Sequence, residues 1–383
     1  IRMKKILIFT QFYLPGYKAG GPIVSISNLV EELKNDFELF IITTDRDAFE
    51  NEKYENITHN QWVKNQYINL YYAEDKKLTV SKIKQLIRNI QPDSIYLNSF
   101  FSLKFSIFPL LALKFFTIDS PNVIIAPRGE FSTGALKIKK FKKSFFIFVF
   151  KFFNLNNTMY WHATSKEEKI DIEQLFLKIE TNIFISSNLV KKSDFIKTNT
   201  EKPLTGNLKI IYLSRITPKK NLLFAINVLK KINRNVDFDI FGLIDNEKYW
   251  GKCKNEIERL PKNISASYKN ILKHDEVIKT FKKYDILFLP TKGENFGHVI
   301  LESLFAGTLA LISDKTPWND IEKNRAGWAV SLKNKEKFIN IIENKIDIKD
   351  DSRKEMRLSA NRYYDKIVDN KRAVKTIKSY FNL

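Results

Sequence analysis

Two acidic side chains in the C-terminal half of the chain have the spacing of a ligand-binding pair. Glu294 and Glu302 lie in DILFLPTKGENFGHVILESLFAGTLALISD, residues 285–314, where an apolar strand ends in a polar loop that runs directly into a helix. If the helix begins near Phe296 or Gly297, Glu302 lies in its second turn and Glu294 lies in the loop before it. Both carboxylates can then face the same cleft.

The same loop also offers hydrogen-bond donors. The start of the helix would present free backbone N–H groups from Asn295 to Val299. Amides at the positive end of a helix dipole suit a phosphate or a sugar hydroxyl. Taken alone, the two glutamates are equally well explained as ordinary surface carboxylates, because acidic residues favour helix N-termini.

A second segment, LSRITPKKNLLFAINVL, has two cations at the end of a predicted strand. The strand ends at Ser214 and Arg215, and the next helix is expected close to Lys220, with Pro218 favouring a helix start. A guanidinium and an ammonium that flank one turn can converge on a diphosphate at the same sheet edge as Glu294. The presence of these cations favours the interpretation of Glu294 and Glu302 as ligand-binding residues over that of ordinary surface carboxylates.

Composition sets the size of the molecule and leaves the meaning of its charge open. The chain has 383 residues, a net charge of +21, and 44% hydrophobic residues, which predicts two domains with a core each. Nucleic acid, an anionic membrane surface and phosphate-bearing substrates would each explain the excess charge. One cysteine, Cys253, and four histidines exclude a disulfide framework and a cysteine-based zinc site, so no metal site is expected.

The hydrophobic pattern repeats a strand-then-helix order, which predicts parallel sheets covered on both faces. The N-terminal IRMKKILIFTQF is too short an apolar run for a signal peptide or anchor and predicts a first strand. We expect one domain at residues 1–190, a linker at 191–206 and a second domain at 207–365. The charged end of the chain from Asp350 is predicted to be helical, and its part at about 366–383 is expected to return to the first domain. Strands of the first domain are predicted at Lys5–Thr10, Glu38–Thr44, Ile68–Ala73, Ser94–Asn98, Asn122–Ala126, Tyr160–Thr164 and Asn182–Ser186.

The order strand-R-x-x-x-x-K-helix, followed by E-N-F-G-x-x-x-x-E-S-L-x-x-G, resembles the retaining, nucleotide-sugar-dependent glycosyltransferases of family 4. The resemblance covers essentially the whole chain, because the first half has a strand, a glycine-rich loop, a helix and the segment APRGEFSTGALKIKK. ENFGHVILESL followed by SDKTPW is similar to bacterial O-antigen and capsule glycosyltransferases. The resemblance implies the α/β GT-B fold, with two Rossmann-like doubly wound parallel-sheet domains facing a central cleft.

The resemblance also implies roles for individual residues. Arg215 and Lys220 would hold the donor diphosphate, Glu302 would bind the ribose, and Glu294 would lie at the donor sugar, where it orients the sugar rather than attacking it. We assign catalytic roles to Glu294, Arg215 and Lys220. The other donor-binding residues are expected to be Asn295, Phe296, Gly297, His298, Gly20 and Gly21. Cations and helix-end amides that bind the leaving diphosphate more strongly in the transition state would accelerate the reaction without a metal.

Acceptor binding is expected in the first domain. Many members of the family have a histidine after the fourth strand, where this chain reads YLNSFFS and places Asn98 or Ser99. Arg128 and Glu130, after the fifth strand, would face the cleft from the acceptor side, with Glu130 as a candidate base or hydroxyl ligand. The leaving phosphate is the alternative base. His162 is expected to be structural.

The segment ALKIKKFKKSFFIFVFKFF, residues 135–153, combines lysines with phenylalanines. Phe141, Phe145, Phe148 and Phe152 share one helical stripe, which predicts a basic amphipathic helix in the interface of an anionic bilayer. The alternative is a core helix with a solvated basic start. We expect membrane contact, because a lipid-linked acceptor would bring the enzyme to the membrane.

The sequence thus predicts a bacterial glycosyltransferase that moves a sugar from a UDP- or GDP-linked donor to a lipid-linked or oligosaccharide acceptor. The reaction would serve the assembly of O-antigen, capsule or lipopolysaccharide at the inner face of the cytoplasmic membrane, without a cofactor or metal. A GT-B enzyme that acts on nucleic acid and a non-catalytic nucleic-acid-binding protein are the alternatives. No recognised nucleic-acid motif supports them, so no nucleic-acid partner is expected.

Overall fold

The computed structural model describes residues 2–65, 67–114, 121–137, 140–152, 159–176, 182–190, 207–345, 350–368 and 371–383. The chain divides into two compact units, one formed by Ile1–Lys191 with Asn370–Leu383 and the other by Lys192–Asp369. The predicted linker at 191–206 lies outside the described residues.

The first unit contains a sheet with the strand order β3-β4-β2-β1-β5-β6-β7-β8. Its strands are Lys5–Phe9 (β1), Glu38–Thr44 (β2), Trp62–Asn65 (β3), Ile68–Ala73 (β4), Ser94–Leu97 (β5), Asn122–Ile125 (β6), Met159–Ala163 (β7) and Ile183–Ile185 (β8). Its helices are Gly21–Leu33 (α1), Val80–Ile90 (α2), Phe108–Lys114 (α3), Thr133–Lys137 (α4), Lys140–Phe152 (α5) and Lys166–Leu175 (α6), and Lys371–Phe381 near the C-terminus of the chain also belongs to it.

Local sequence explains most of these boundaries. Largely apolar runs such as that of β5 are buried on both faces, as expected for central parallel strands. Helix α2 begins after Thr79, whose hydroxyl accepts from Lys82 N–H at 3.2 Å, and α6 begins after Ser165, which caps Glu168 in the same way.

Strand β3 was not predicted from the sequence. It pairs antiparallel with β4 at the sheet edge, and its four residues are half-buried or exposed. Trp62 anchors it by packing against Phe40 and Tyr71, with ring centroids 5.4 and 5.3 Å away. The strand forms because of these aromatic contacts, which the sequence pattern does not reveal.

The second unit contains a fully parallel sheet with the order β11-β10-β9-β12-β13-β14. Its strands are Leu208–Leu213 (β9), Val236–Phe241 (β10), Ile264–Tyr268 (β11), Ile286–Leu289 (β12), Leu309–Ser313 (β13) and Gly327–Val330 (β14). Its helices are Leu222–Leu229 (α7), Glu247–Ile257 (α8), His274–Phe281 (α9), His298–Phe305 (α10), Lys335–Asn340 (α11) and Asp350–Ile367 (α12), and the C-terminal helix of the first unit is α13. The predicted pair of doubly wound parallel-sheet domains is confirmed.

The predicted helical end of the chain is two helices that pack in different units. In α12, Asn361 donates to the carbonyls of Leu304 and Phe305 at 2.9 and 2.8 Å and so caps the C-terminal end of α10. In α13, Phe381 is buried against Phe37 and Tyr96, each with ring centroids 5.9 Å away. The helix of the first unit begins at Lys371, a few residues later than the sequence predicted.

Candidate functional site

Lys220 and Glu294 come together at the carboxyl edge of the second sheet. β9 and β12 are neighbours, and their following loops are tied by Lys292 N–H to Lys219 O at 2.8 Å and by the Asn221 side chain to Pro290 O at 3.0 Å. Lys220 Nζ donates to Glu294 Oε1, and the two side chains are only 15% and 10% exposed. The strand order thus makes one ion pair from residues 74 positions apart.

The start of the helix after this turn differs from the prediction. Pro218 lies in the turn, and α7 begins only at Leu222. Asn221 precedes the helix with a left-handed φ of 63°, which interrupts the helical backbone that Pro218 would otherwise begin. The turn places Lys220 next to the loop of the neighbouring strand, where its side chain meets Glu294.

Arg215 has a different partner. Its guanidinium pairs with Asp245 at 3.3 Å, and its side chain is 47% exposed. Asp245 follows β10, the other neighbour of β9, and was not selected from the sequence. Arg215 and Lys220 therefore lie on one sheet edge but belong to separate ion pairs, a distinction that depends on strand order.

The loop before α10 has free donors. Gly297 is the N-cap residue, with a left-handed φ of 84°, and the helix begins at His298, slightly later than predicted. The backbone N–H groups of Phe296, Gly297 and Val299 make no hydrogen bond within the described part of the chain. These amides lie at the positive end of α10 and can donate hydrogen bonds to an anion or a hydroxyl oxygen.

Glu302 has an unusual environment for a carboxylate. It is half-buried on α10, and no hydrogen bond or ion pair to its side chain is present among the described residues. Burial raises the pKa of Glu302 to about 7. A desolvated carboxylate without a partner is costly to fold and is typical of ligand-binding sites, where hydroxyl donors of a ligand can satisfy it.

The two predicted phosphate-binding glycines lie at the start of α1 in the first unit, Gly20 as the N-cap residue and Gly21 as the first helical residue. Gly20 has a φ of 66°, and a Cβ placed on it would meet no atom within 4 Å. Asp47 shapes the loop, because its carboxylate accepts from the N–H groups of Tyr17 and Lys18 at 2.8 and 3.1 Å. The start of α1 is therefore open at Gly20, and the contribution of Asp47 to the shape of the preceding loop was not predicted from the sequence.

Arg128 lies in a polar network of the first unit. Its guanidinium donates to Asn98 at 2.8 Å, to Tyr96 Oη at 2.7 Å and to Asn188. Tyr96 lies 2.8 Å from His162 Nδ1, and His162 Nε2 donates to Ser186 O at 2.8 Å, so the tyrosine hydroxyl must donate to Nδ1. The predicted residues Arg128 and Asn98 are thus in direct contact.

His162 is a buried structural residue, as predicted. It is 2% exposed, and both ring nitrogens have hydrogen-bond partners. Burial, assisted by the charge of Arg128, lowers the pKa of His162 to about 3, so the ring stays neutral.

Glu130 is held by its own unit. One carboxylate oxygen accepts from Ser99 Oγ at 2.7 Å, and the other accepts from the N–H groups of Phe100 and Phe101 at 2.6 and 3.1 Å. Burial raises the pKa of Glu130, while these three donors oppose the rise. In this arrangement Glu130 and Ser99 fix the turn after β5, and both Glu130 oxygens already accept hydrogen bonds from that turn.

The described ranges contain neither a cluster of metal-ligating side chains nor a membrane-spanning helix. No group of three or more His, Cys, Asp or Glu side chains there is arranged to hold a metal ion. None of the helices built from those residues has the length and apolar character needed to cross a membrane.

The geometry can be compared with known proteins. Residues 194–363 match the family model of glycosyl transferases group 1. A GDP-Man:Man(3)GlcNAc(2)-PP-Dol alpha-1,2-mannosyltransferase of Caenorhabditis elegans is 24% identical over 219 residues, which cover 53% of this chain and 45% of that protein. The chain therefore spans less than half the length of this relative.

Solved structures share the fold over the whole chain. HepE of Anabaena in complex with UDP and glucose has a TM-score of 0.72 at 15% identity, with 99% of each chain covered. WaaG, a glycosyltransferase involved in lipopolysaccharide biosynthesis, has a TM-score of 0.67 at 11% identity, with 97% of this chain and 99% of that chain covered. The chain has the GT-B fold of these enzymes, and the part of it that matches the glycosyl transferases group 1 model lies in the second unit.

Proposed function

We propose that the protein is a retaining glycosyltransferase that transfers a sugar from a UDP- or GDP-linked donor to a lipid-linked or oligosaccharide acceptor. The observation that supports this most directly is the edge of the second sheet, where the Lys220–Glu294 pair, three free amides and Glu302 occur within a group 1 domain. HepE binds UDP and glucose, and the Caenorhabditis elegans relative uses GDP-mannose.

Each residue has a role in this proposal. The free amides at the start of α10 bind the diphosphate, and Lys220 and Arg215 neutralise the negative charge that grows as the bond to the sugar breaks. Glu302 accepts hydroxyl hydrogen bonds from the nucleotide ribose. Glu294, held by Lys220, orients the sugar and stabilises positive charge on it.

We propose that the reaction retains the anomeric configuration and needs no metal. Glu294 is engaged by Lys220, which supports an orienting role over covalent attack. The anomer of the product, followed by NMR during turnover, tests retention. Activity in excess EDTA is expected, and loss of activity that a divalent ion restores would contradict metal independence.

Donor binding is tested with a panel of nucleotide sugars and with UDP and GDP. One nucleoside diphosphate is expected to raise the melting temperature, and Arg215→Ala and Lys220→Ala should each abolish the shift, because a hydrogen bond to a charged group contributes about 1.5–3 kcal/mol. Arg259→Ala is a matched control, since Arg259 is 71% exposed and forms a separate surface ion pair with Glu256.

The result also separates the proposal from its alternatives. A chain that neither shifts with any nucleoside diphosphate nor hydrolyses any donor, but binds DNA or RNA, would be a nucleic-acid-binding protein. Donor hydrolysis that DNA stimulates, with glycosylated DNA as the product, would identify a nucleic-acid acceptor instead.

We further propose that the first unit contacts an anionic membrane through α5. Phe141, Phe145 and Phe148 are 90%, 69% and 65% exposed and share one face of this helix. The opposite face packs into the core through Phe146 and Phe150. The helix is therefore both a core helix and an exposed aromatic surface, and the side chain of Phe152 lies outside the described residues.

Charge beside this stripe supports an anionic partner. Lys140 and Lys142 are exposed on α5, and each lysine near an anionic surface contributes about 1 kcal/mol. A peripheral position at the inner face of the cytoplasmic membrane would bring the enzyme to a lipid-linked acceptor. The relative that acts on a dolichol-linked oligosaccharide and the lipopolysaccharide enzyme WaaG support such an acceptor and a place in surface polysaccharide assembly.

Membrane contact is tested by cosedimentation with phosphatidylglycerol vesicles. The chain with Phe141, Phe145 and Phe148 changed to serine is expected to stay in the supernatant, whereas Phe49→Ser, at another exposed phenylalanine (60%), should sediment like the wild type. Equal sedimentation of the triple variant and the wild type would contradict the assignment.

A further inference from the structure

The segment after β13, Lys315–Trp318, contacts the loop before α10 at two points. Glu294 N–H donates to Lys315 O at 2.9 Å. The indole Nε1–H of Trp318 donates to the backbone carbonyl of Phe296. The side chain of Trp318 is 4% exposed, and a buried indole N–H requires an acceptor. The hydrogen bond to Phe296 is therefore enforced by burial.

The indole also lies against the glycine that follows. A Cβ on Gly297 would be 2.9 Å from Ile300 Cδ1 and 3.4 Å from Trp318 Nε1. The ring of Phe296 packs on Trp318 edge-to-face, with centroids 5.4 Å apart. Trp318 thus supports both the carbonyl of Phe296 and the left-handed turn at Gly297.

Because the peptide bond is planar, this contact also fixes the direction of a backbone N–H group. The bond between Phe296 and Gly297 is trans, so the Phe296 carbonyl and the Gly297 N–H point in opposite directions. With the carbonyl held by Trp318, the Gly297 N–H is directed away from the indole. That N–H is one of the amides without a hydrogen bond in the described structure.

We infer that Trp318 is a positioning residue for the donor diphosphate: it fixes the peptide between Phe296 and Gly297 so that the Gly297 N–H points at the ligand. This inference rests on the proposed function. Trp318 does not touch the ligand and acts only through the peptide. Trp318 is itself held by two contacts. Its backbone N–H donates to Thr316 Oγ1 at 3.3 Å, and its ring packs edge-to-face on Tyr363, with centroids 6.3 Å apart.

The test removes the indole donor and keeps an aromatic ring. In full-length Trp318→Phe, the Kd for UDP or GDP, whichever the wild type binds, is expected to rise about tenfold, equivalent to about 1.4 kcal/mol. The matched control is Trp328→Phe, another buried tryptophan, on β14, whose Kd should stay within twofold of the wild type. The Kd of the nucleoside without phosphates, measured by ligand-observed NMR, should stay within twofold of the wild type in Trp318→Phe. General disorder of the loop would instead weaken the binding of both nucleoside and nucleoside diphosphate.

Loss of packing is controlled separately. If Trp318→Phe unfolds at a lower temperature than Trp328→Phe, position 318 is replaced by β-(3-benzothienyl)alanine, which keeps the bicyclic shape and lacks only the N–H. The same tenfold loss is expected.

The outcomes distinguish the two proposals. A wild-type chain that binds a nucleoside diphosphate, together with an unchanged Kd in the position-318 variants, overturns the positioning role alone. Equal weakening of nucleoside and nucleoside diphosphate also overturns it. A wild-type chain that binds neither UDP nor GDP overturns the proposed function and this inference with it.

Discussion

Replacing Glu302 by glutamine is expected to stabilise the second unit at alkaline pH. Burial raises the pKa of this carboxyl from 4.5 to about 7 in the folded protein. Between these values the folded chain keeps a proton that the unfolded chain releases. The stabilisation from that proton is fully present below pH 4.5 and is lost as the pH rises through about 7.

The size of the effect follows from the shift. Each pH unit between the unfolded and folded pKa corresponds to about 1.4 kcal/mol, so the wild type loses up to about 3 kcal/mol by pH 8.5. Glutamine does not titrate and avoids this loss. The free energy of unfolding of Glu302→Gln minus that of the wild type should therefore be larger at pH 8.5 than at pH 4.5, by up to about 3 kcal/mol.

Urea unfolding followed by tryptophan fluorescence at the two pH values measures this difference. Trp250, Trp318 and Trp328 all report on the second unit. Glu258→Gln, at an exposed carboxylate just after α8, is the control and should change stability by less than about 0.5 kcal/mol at either pH. A stability difference between Glu302→Gln and wild type that is the same at pH 4.5 and pH 8.5 would refute the reasoning.

Three further predictions concern other residues. The first unit should lose up to about 1.4 kcal/mol of stability per pH unit from pH 6.5 toward pH 3, because the pKa of buried His162 is lowered to about 3 and only the unfolded chain takes up the proton. In urea titrations of that unit, His162→Gln should give a shallower decline, and an equal slope would contradict this. Lys220→Ala should cost about 3 kcal/mol by leaving the nearly buried Glu294 without its partner, and adding Glu294→Gln should recover most of the loss in chemical denaturation. Gly297→Ala should cost about 1–2 kcal/mol from its left-handed φ of 84° alone, and a melting temperature equal to that of the wild type would show that the turn relaxes freely.

Much of the fold could be predicted from the sequence because the signals are local. The strands predicted at Glu38–Thr44 and Ile68–Ala73 have the same bounds in the structure. Apolar runs, N-cap hydroxyls and turn residues act within a few positions along the chain. Strand β3 was missed because its partner contacts, Trp62 with Phe40 and Tyr71, come from other parts of the sequence.

The candidate site was predicted less completely than the fold. The loop before α10 and its free amides follow from the sequence, because a strand-loop-helix unit must leave the first amides of the helix without partners. The role of Trp318 could not be predicted in this way. A tryptophan that follows the next strand contacts the loop only because β12 and β13 are adjacent in the sheet. The TPW segment after β13 was the available signal.

Apart from the antiparallel edge strand β3, the sequence by itself determined the order of strands, the two parallel sheets and the types of group at their carboxyl edges. Only the tertiary structure decided which groups are partners: Lys220 with Glu294, Arg215 with Asp245, and Glu130 with the turn at Ser99. It also decided that the aromatic stripe of α5 faces outward. The physical reason is range, since periodicity and capping depend on neighbours along the chain, whereas ion pairs and burial depend on which loops the strand order places side by side.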